Sequence, residues 1–206
     1  VKRLLLASDG IGALRELVGD PQRLRFLFVP TAAGPEAEEM TWVQADRRQL
    51  DVLGCEVSTL ELATAGPNEV ELALATGDGV FLTGGNAYLL LWHARRSGFA
   101  DLLVPLVDSG SLVYVGTSAG ALLAGPDLTP AASPENRAAV PELESSRALG
   151  LVPFSVLPHD QDPERATRHD RLVAEHPDVE FIRLTDDRAV VVRGVDAALV
   201  ESPRLS

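Results

Sequence analysis

Leu112-Val113-Tyr114-Val115-Gly116-Thr117-Ser118-Ala119-Gly120-Ala121-Leu122-Leu123-Ala124 decides how this chain folds. Leu112 to Val115 is an apolar run of strand length, and Ala121 to Ala124 is helix-like. Between them, Gly116 to Gly120 has the form G-x-S-x-G. A strand that turns sharply into a helix around one serine needs small residues on both sides, because larger ones would clash. The turn lifts the serine out of the backbone. It also places the next amide, that of Ala119, at a helix N-terminus, where it can hold developing negative charge. The competing reading is a tight turn whose serine merely caps the helix.

Outward from this stretch, apolar runs of strand length alternate with helix-patterned segments. Leu4 to Ala7, Arg25 to Val29, Glu56 to Leu60 and Gly79 to Leu82 read as strands. Leu14 to Val18, Glu36 to Leu53, Asn68 to Ala75, Tyr88 to Ser97 and Phe99 to Ser109 read as helices, with Asn68 as a cap. Strands apolar on both faces and separated by helices predict a doubly wound α/β fold around a mostly parallel sheet. Ligands bind beyond the carboxyl ends of such strands. Thr31-Ala32, Gly84-Gly85-Asn86 and Ser118 each follow a strand, so they are expected on one edge.

Prolines at 126, 130, 134 and 141 predict an extended loop from Gly125 to Arg147, and whether Thr129 to Arg147 forms a lid over the site is left open. Phe154 to Leu157 is a further strand, and Pro163 to Glu175 a helix. Glu180 to Leu184, Ala189 to Val192 and Ala197 to Val200 predict a small antiparallel C-terminal addition to the sheet.

The length of 206 residues fits a single domain spanning 1–206. A hydrophobic content of 46% is that of a globular chain. The net charge of −12 repels phosphate backbones and argues against nucleic acid as a partner. An anionic ligand would need local arginines. The single cysteine, Cys55, allows no disulfide within the chain and reads as a small core residue. No apolar run reaches the ~20 residues of a membrane span. The start, Val1 to Leu6, resembles a signal peptide, but Ser8-Asp9-Gly10 interrupts it early. A cytoplasmic location is expected, and oligomerisation is left open.

A serine nucleophile needs a base, and the base an orienting acid. Among the four histidines, His159 follows a strand and Pro158, which places it at a strand's carboxyl end. His93 sits beside Trp92 and reads as a packing or surface residue. His169 and His176 lie in and after a charged helix and are expected to be solvated. For the acid, Asp186 and Asp187 both sit between two apolar strands, in a turn where aspartate also has structural reasons to occur. Asp160 and Asp162 are expected to point elsewhere or to cap the following helix. The Thr83-Gly84-Gly85-Asn86 turn can supply a second donor to an oxyanion beside the Ala119 amide. No zinc-ligand spacing and no P-loop are present, so neither metal nor cofactor is expected.

These segments, taken in order, resemble the S51 serine peptidases, the family of dipeptidase E (aspartyl dipeptidase) and cyanophycinase. The resemblance rests on Phe28-Val29-Pro30-Thr31-Ala32, Leu82 to Leu90, Val115 to Ala121, Leu157-Pro158-His159 with Arg165 and Arg168, and Leu184 to Val192. It implies a fold like that of class I glutamine amidotransferases. It implies Ser118 as nucleophile, His159 as base, and oxyanion donors at Gly85 and Ala119. Its third member falls at Asp186, with Asp187 as the alternative. The order serine, histidine, acid differs from that of α/β-hydrolases. Thr83 stands where dipeptidase E has a glycine, and an aspartate where the family usually has glutamate. The expected substrate is a small peptide, with Asn86, Arg165 and Arg168 as binding residues and Arg137 as a further cation for a substrate carboxylate. The expected activity is that of a serine dipeptidase, acting on peptides with or without an N-terminal aspartate. A cyanophycinase-like β-aspartyl hydrolase and an inactive glutaminase-like binding module are the alternatives.

Overall fold

The computed structural model describes residues 1–129 and 131–206. Pro130, one of the four loop prolines, lies outside the described residues. The strands in chain order are β1 (Arg3–Ala7), β2 (Arg25–Val29), β3 (Glu56–Thr59), β4 (Gly79–Leu82), β5 (Val113–Thr117), β6 (Ser155–Pro158), β7 (Phe181–Leu184), β8 (Arg188–Arg193) and β9 (Asp196–Glu201). The α-helices are α1 (Leu14–Val18), α2 (Thr41–Val52), α3 (Pro67–Thr76), α4 (Ala87–Arg96), α5 (Phe99–Ser109), α6 (Ala119–Leu123), α7 (Pro134–Ala138) and α8 (Pro163–Glu175).

Seven strands form one sheet in the order β3-β2-β4-β5-β1-β8-β9. The five from β3 to β1 are parallel, and β8 and β9 are antiparallel. This is the α/β architecture expected. Alternate residues of each central strand enter opposite cores. Leu4 and Leu6 of β1 face the core under α3, α4, α5 and α6, whereas Leu5 and Ala7 face the core under α1 and α2. That two-sided burial is why these strands read as unbroken apolar runs.

Three expectations need correction. The segment 180–184 does not join the antiparallel addition. As β7 it pairs in parallel with β6 in a separate two-stranded sheet. Its apolar pattern marked a strand but not a partner. The cap of α3 is Gly66, with Pro67 at the first helical position; Asn68 lies inside the helix. Pro fits there because its missing N–H would have no helical acceptor. Finally, the 125–147 segment is more ordered than an extended loop. It carries α7 and a bridge between Asp127 and Arg147, and it buries Leu128, Ala131, Val140 and Leu143.

The elbow of β5 and α6 is held by close backbone contact. A Cβ on Gly120 would lie 2.1 Å from the Leu82 carbonyl oxygen of β4. The fully buried Tyr114 donates its hydroxyl to the Gly120 carbonyl at 2.6 Å and so pins the first turn of α6 against β5. Gly120→Ala pushes a methyl group into backbone that cannot yield. It is expected to lower the unfolding free energy by at least about 1–3 kcal/mol in urea denaturation; unchanged stability would show that α6 is free to move away from β4.

Candidate active site

The carboxyl ends of β4, β5 and β1 are neighbours in the sheet, and each hands over to a functional turn. Thr83 to Asn86 follow β4, Ser118 follows β5, and Ser8 follows β1. The β6–β7 pair ends against the same edge. His159 follows β6, and Asp186 lies in the turn that carries the chain from β7 to β8. That turn crosses between the two sheets, as the Ser8 amide donating to the Arg188 carbonyl at 3.2 Å shows.

Ser118 has φ 47° and ψ −105°, a conformation that costs a non-glycine residue on the order of 1–3 kcal/mol. Two hydrogen bonds hold it there. Its amide donates to the Ala7 carbonyl at 3.0 Å, and its carbonyl accepts from the Leu122 amide at 3.0 Å. The hydroxyl is therefore presented at the mouth of the sheet and does not cap α6, which removes the competing reading. Ser118 Oγ lies 3.0 Å from His159 Nε2, and His159 Nδ1 lies 2.6 Å from Asp186 Oδ1. With the proton on Nδ1 donated to the carboxylate, Nε2 is left as an acceptor for the serine hydroxyl.

Asp186 is thus the aspartate that the fold brings to the histidine. Asp187 is exposed and accepts a hydrogen bond from Thr185 at 2.5 Å. Burial works to raise the Asp186 pKa. The Ser8 hydrogen bond, the neighbouring His159 and the Gln161 side chain outweigh it, so the carboxyl stays below its ordinary value and ionised at neutral pH. Ser8 was not foreseen in the sequence, yet it touches both partners. It donates to Asp186 Oδ1 at 2.7 Å and accepts from the His159 amide at 2.8 Å. The Gln161 side chain likewise holds Asp186, donating from Nε2 to the carboxylate and accepting the Asp186 amide at Oε1. Only the position of Ser8 at a strand end could have pointed to it.

Gly85 lies on the turn after β4, and the residue before it, Gly84, sits beside the serine. The Gly85 φ is 126°, and a Cβ there would fall 2.2 Å from the Ala32 carbonyl oxygen, so only glycine lets this turn pass. Ala119 is the first residue of α6, and helix-starting amides have no acceptor within the helix. Thr31-Ala32, the Gly84-Gly85 turn and the elbow do converge as expected: the Asn86 amide donates to the Ala32 carbonyl at 2.7 Å, and a Cβ on Gly84 would lie 3.3 Å from Ser118 Cβ.

A cavity of about 660 Å³ opens above Ser118. Trp42, Gly84 and Gly85 line it, as do Ala131, Ala132, Ser133, Glu135 and Asn136, and Arg165 and Arg168 reach it from α8. Arg168 donates to the Ala131 carbonyl at 3.2 Å, and its buried Nε has no partner among the described residues. Asn86 also borders this edge, but its side chain is spent on structure. It accepts from the Tyr88 and Leu89 amides, capping α4, and donates to the Asn136 carbonyl at 3.0 Å. Arg137 donates to the Val140 and Leu143 carbonyls and so shapes its own loop. Among the described residues no group of three or more His, Cys, Asp or Glu side chains is placed to hold a metal ion, and no helix is long and apolar enough to cross a membrane.

The sequence profile of Peptidase family S51 matches residues 8–200. The chain belongs to that family. As an S51 peptidase it is 30% identical over 199 residues to an uncharacterized peptidase of Listeria monocytogenes, covering 94% of this chain and 96% of that one. It is 32% identical over 184 residues to Peptidase E of Streptomyces coelicolor, covering 89% and 71%. The crystal structure of a candidate Peptidase E protein from Listeria monocytogenes EGD-e superimposes with a TM-score of 0.82 at 29% identity, over 100% of this chain and 99% of that one.

Two other residues differ from expectation. Cys55 is only half-buried, and burial beside Asp51 pushes its thiol up to about 11, which disfavours the thiolate at neutral pH. His169 is buried, not solvated. It lines the cavity wall, its Nδ1 2.7 Å from Asp160, which also takes Arg183 at 2.8 Å. Asp162 caps α8 as expected. Burial lowers the His169 pKa more than Asp160 raises it. The unfolded chain therefore binds a proton below about pH 6.5 that the folded chain refuses, and stability falls as pH drops through that window. His169→Gln is expected to lessen the loss of unfolding free energy between pH 7 and pH 5, by up to about 1.4 kcal/mol per pH unit. Denaturation curves at both pH values check this; an unchanged slope would mean that His169 titrates normally.

Proposed function

We propose that this S51 peptidase is a serine dipeptidase, with Ser118 as nucleophile, His159 as general base and Asp186 as the orienting acid. The observation that carries this reading is the continuous hydrogen-bonded line from Ser118 Oγ through His159 to Asp186, set at a strained elbow. His159 Nε2 takes the hydroxyl proton as Ser118 Oγ attacks the scissile carbonyl. The oxyanion is held by the amides of Gly85 and Ala119. His159 then gives the proton to the leaving amine, and water, activated by the same nitrogen, releases the acid from the acyl-enzyme. Ionised Asp186 stabilises the imidazolium that forms in both steps and keeps Nδ1 protonated. Ser8 is a positioning residue for this pair, through the His159 backbone and the Asp186 carboxylate.

Arg165 and Arg168 supply positive charge to the cavity of a chain whose net charge is −12. They support a substrate with a carboxylate, such as an N-terminal aspartate or the free C-terminus of a dipeptide. The cavity volume and the wall formed by residues 131–136 favour a short peptide over a polymer.

Hydrolysis is measured on a dipeptide panel of Asp-X, Glu-X, Met-X, neutral controls and β-Asp-Arg. Ser118→Ala is expected to abolish cleavage of Asp-X. Cleavage of β-Asp-Arg alone would favour the cyanophycinase-like alternative, and no serine-dependent cleavage of any peptide would leave a binding module. Ser8→Ala, which removes one hydrogen bond from Asp186 and the partner of the His159 amide, is expected to lower kcat about 10-fold or more with KM little changed; equal effects on both would argue against positioning. Arg168→Met is expected to raise KM for acidic peptides and spare neutral ones. If neutral peptides suffer equally, the arginine only shapes the wall.

A further inference from the structure

One buried carboxylate lies outside the triad yet touches both turns that flank it. Asp46 is on α2, on the face that also carries the buried Val43 and Leu50, and it is 4% exposed. Its Oδ2 accepts from the Thr117 hydroxyl at 3.2 Å and from the Thr83 hydroxyl. Thr117 immediately precedes Ser118. Thr83 immediately precedes Gly84-Gly85. Its Oδ1 accepts from Arg204 Nη2 at 2.9 Å, and the same guanidinium donates to Asp9, next to Ser8.

We propose that Asp46 is a positioning residue for the reaction: it ties the turn after β4 to the elbow after β5, and Arg204 holds it in place. The inference rests on the serine-peptidase reading above. Two amides aimed at one oxygen must come from two different strand ends, Gly85 after β4 and Ala119 after β5. Backbone pairing of β4 and β5 stops at Leu82 and Gly116. Beyond it, the shared carboxylate bridges Thr83 and Thr117 and sets the spacing of the donors that follow. Donors held in advance stabilise a developing oxyanion without reorganising, and small displacements weaken that effect.

Burying this carboxylate is costly unless it is fully hydrogen-bonded. The two threonines and Arg204 oppose that cost, although burial still holds the Asp46 carboxyl above its ordinary value, and Arg204 is itself brought in by a tightly threaded segment. Ser202 is fully buried, accepts from the Ala13 amide at 3.2 Å and donates to the Gly10 carbonyl at 2.7 Å. The Leu205 amide donates to Gln49 of α2 at 3.2 Å. A Cβ on Gly10 would meet the Ser202 carbonyl oxygen at 2.3 Å, so the loop after β1 leaves room for this strap and little else. Residues 202–205 thus connect the ends of β1, β4 and β5 through a single arginine.

The test uses Asp46→Asn, Thr83→Val, Thr117→Val, Arg204→Met and Arg204→Lys, each checked for folding by thermal melting. Two rates are read: peptide hydrolysis, and phosphonylation of Ser118 by a fluorophosphonate, which needs nucleophile and oxyanion donors but no peptide. Because losing a whole donor costs about 10²–10³ in kcat, misplacing one is expected to cost about 10–100-fold. That fall should appear in kcat and in phosphonylation alike, with KM within about twofold. Arg204→Lys, which keeps the charge, should recover more of the rate than Arg204→Met. If Asp46→Asn fails to fold, the two valine variants carry the test, since each removes one hydroxyl and keeps the shape. Folded variants whose kcat and phosphonylation match the wild type would overturn the positioning role while leaving Ser118 catalysis intact. A rise in KM alone would overturn it too. Absence of labelling at Ser118 in the wild type would remove the serine-peptidase reading, and the positioning role with it.

Discussion

The reactive edge of this S51 peptidase depends on one hydroxyl, that of Ser8. The described residues form a seven-stranded and a two-stranded sheet, and the line of Ser118, His159 and Asp186 crosses from one to the other. Ser118 belongs to the seven-stranded sheet, and His159 follows the two-stranded one. Ser8 stands at the end of β1 and binds the His159 amide and the Asp186 carboxylate together. That bridge reinforces the 2.6 Å contact between histidine and aspartate, which Gln161 also supports from the Asp186 side. A buried hydroxyl suits the task because it can accept from one group while donating to another.

Strain and support are balanced around this junction. Ser118 and His159 both have positive φ, at 47° and 62°. Such conformations persist only where the surroundings over-determine them. Here they are held by the Ala7 carbonyl, the Ser8 hydroxyl, the Tyr114 hydroxyl under α6, and the close contact of Gly120 with β4. Asp46 and Arg204 extend the same support to the neighbouring turn. The stabilising contacts come from the two-sided core below, so stability invested in β1, β4 and β5 is what keeps the exposed edge rigid.

Electrostatics works on two scales. The whole chain is acidic, and that field falls off over a Debye length of about 8 Å in physiological salt. Within the cavity lining, Arg165 and Arg168 of α8 are joined by Asp9, Asp46 and Glu135, so the local charge is mixed on a chain that is acidic as a whole. The ionised Asp186 sits behind His159, where its charge acts on the imidazole.

The sequence by itself determined the elbow, the alternation of buried strands with helices, and hence the parallel sheet with Ser118 at its carboxyl edge. These features are local. Small residues are forced by a sharp turn, and apolar periodicity is forced by burial on both faces, so a single segment reveals each of them. His159 was legible for the same reason, as a histidine directly after a buried strand. The tertiary structure alone decided the rest. It chose Asp186 over Asp187, because only the first turns back toward the histidine where the chain passes between sheets. It paired β7 with β6, since an apolar run does not specify its neighbour. It buried His169 against Asp160 and Arg183, spent Asn86 on a helix cap and Arg137 on its own loop, and brought Ser8 and Arg204 to the edge from opposite ends of the sequence. Each of these is a contact between residues distant in the chain. Such contacts are set by packing and hydrogen-bond satisfaction in three dimensions, and no local pattern carries them.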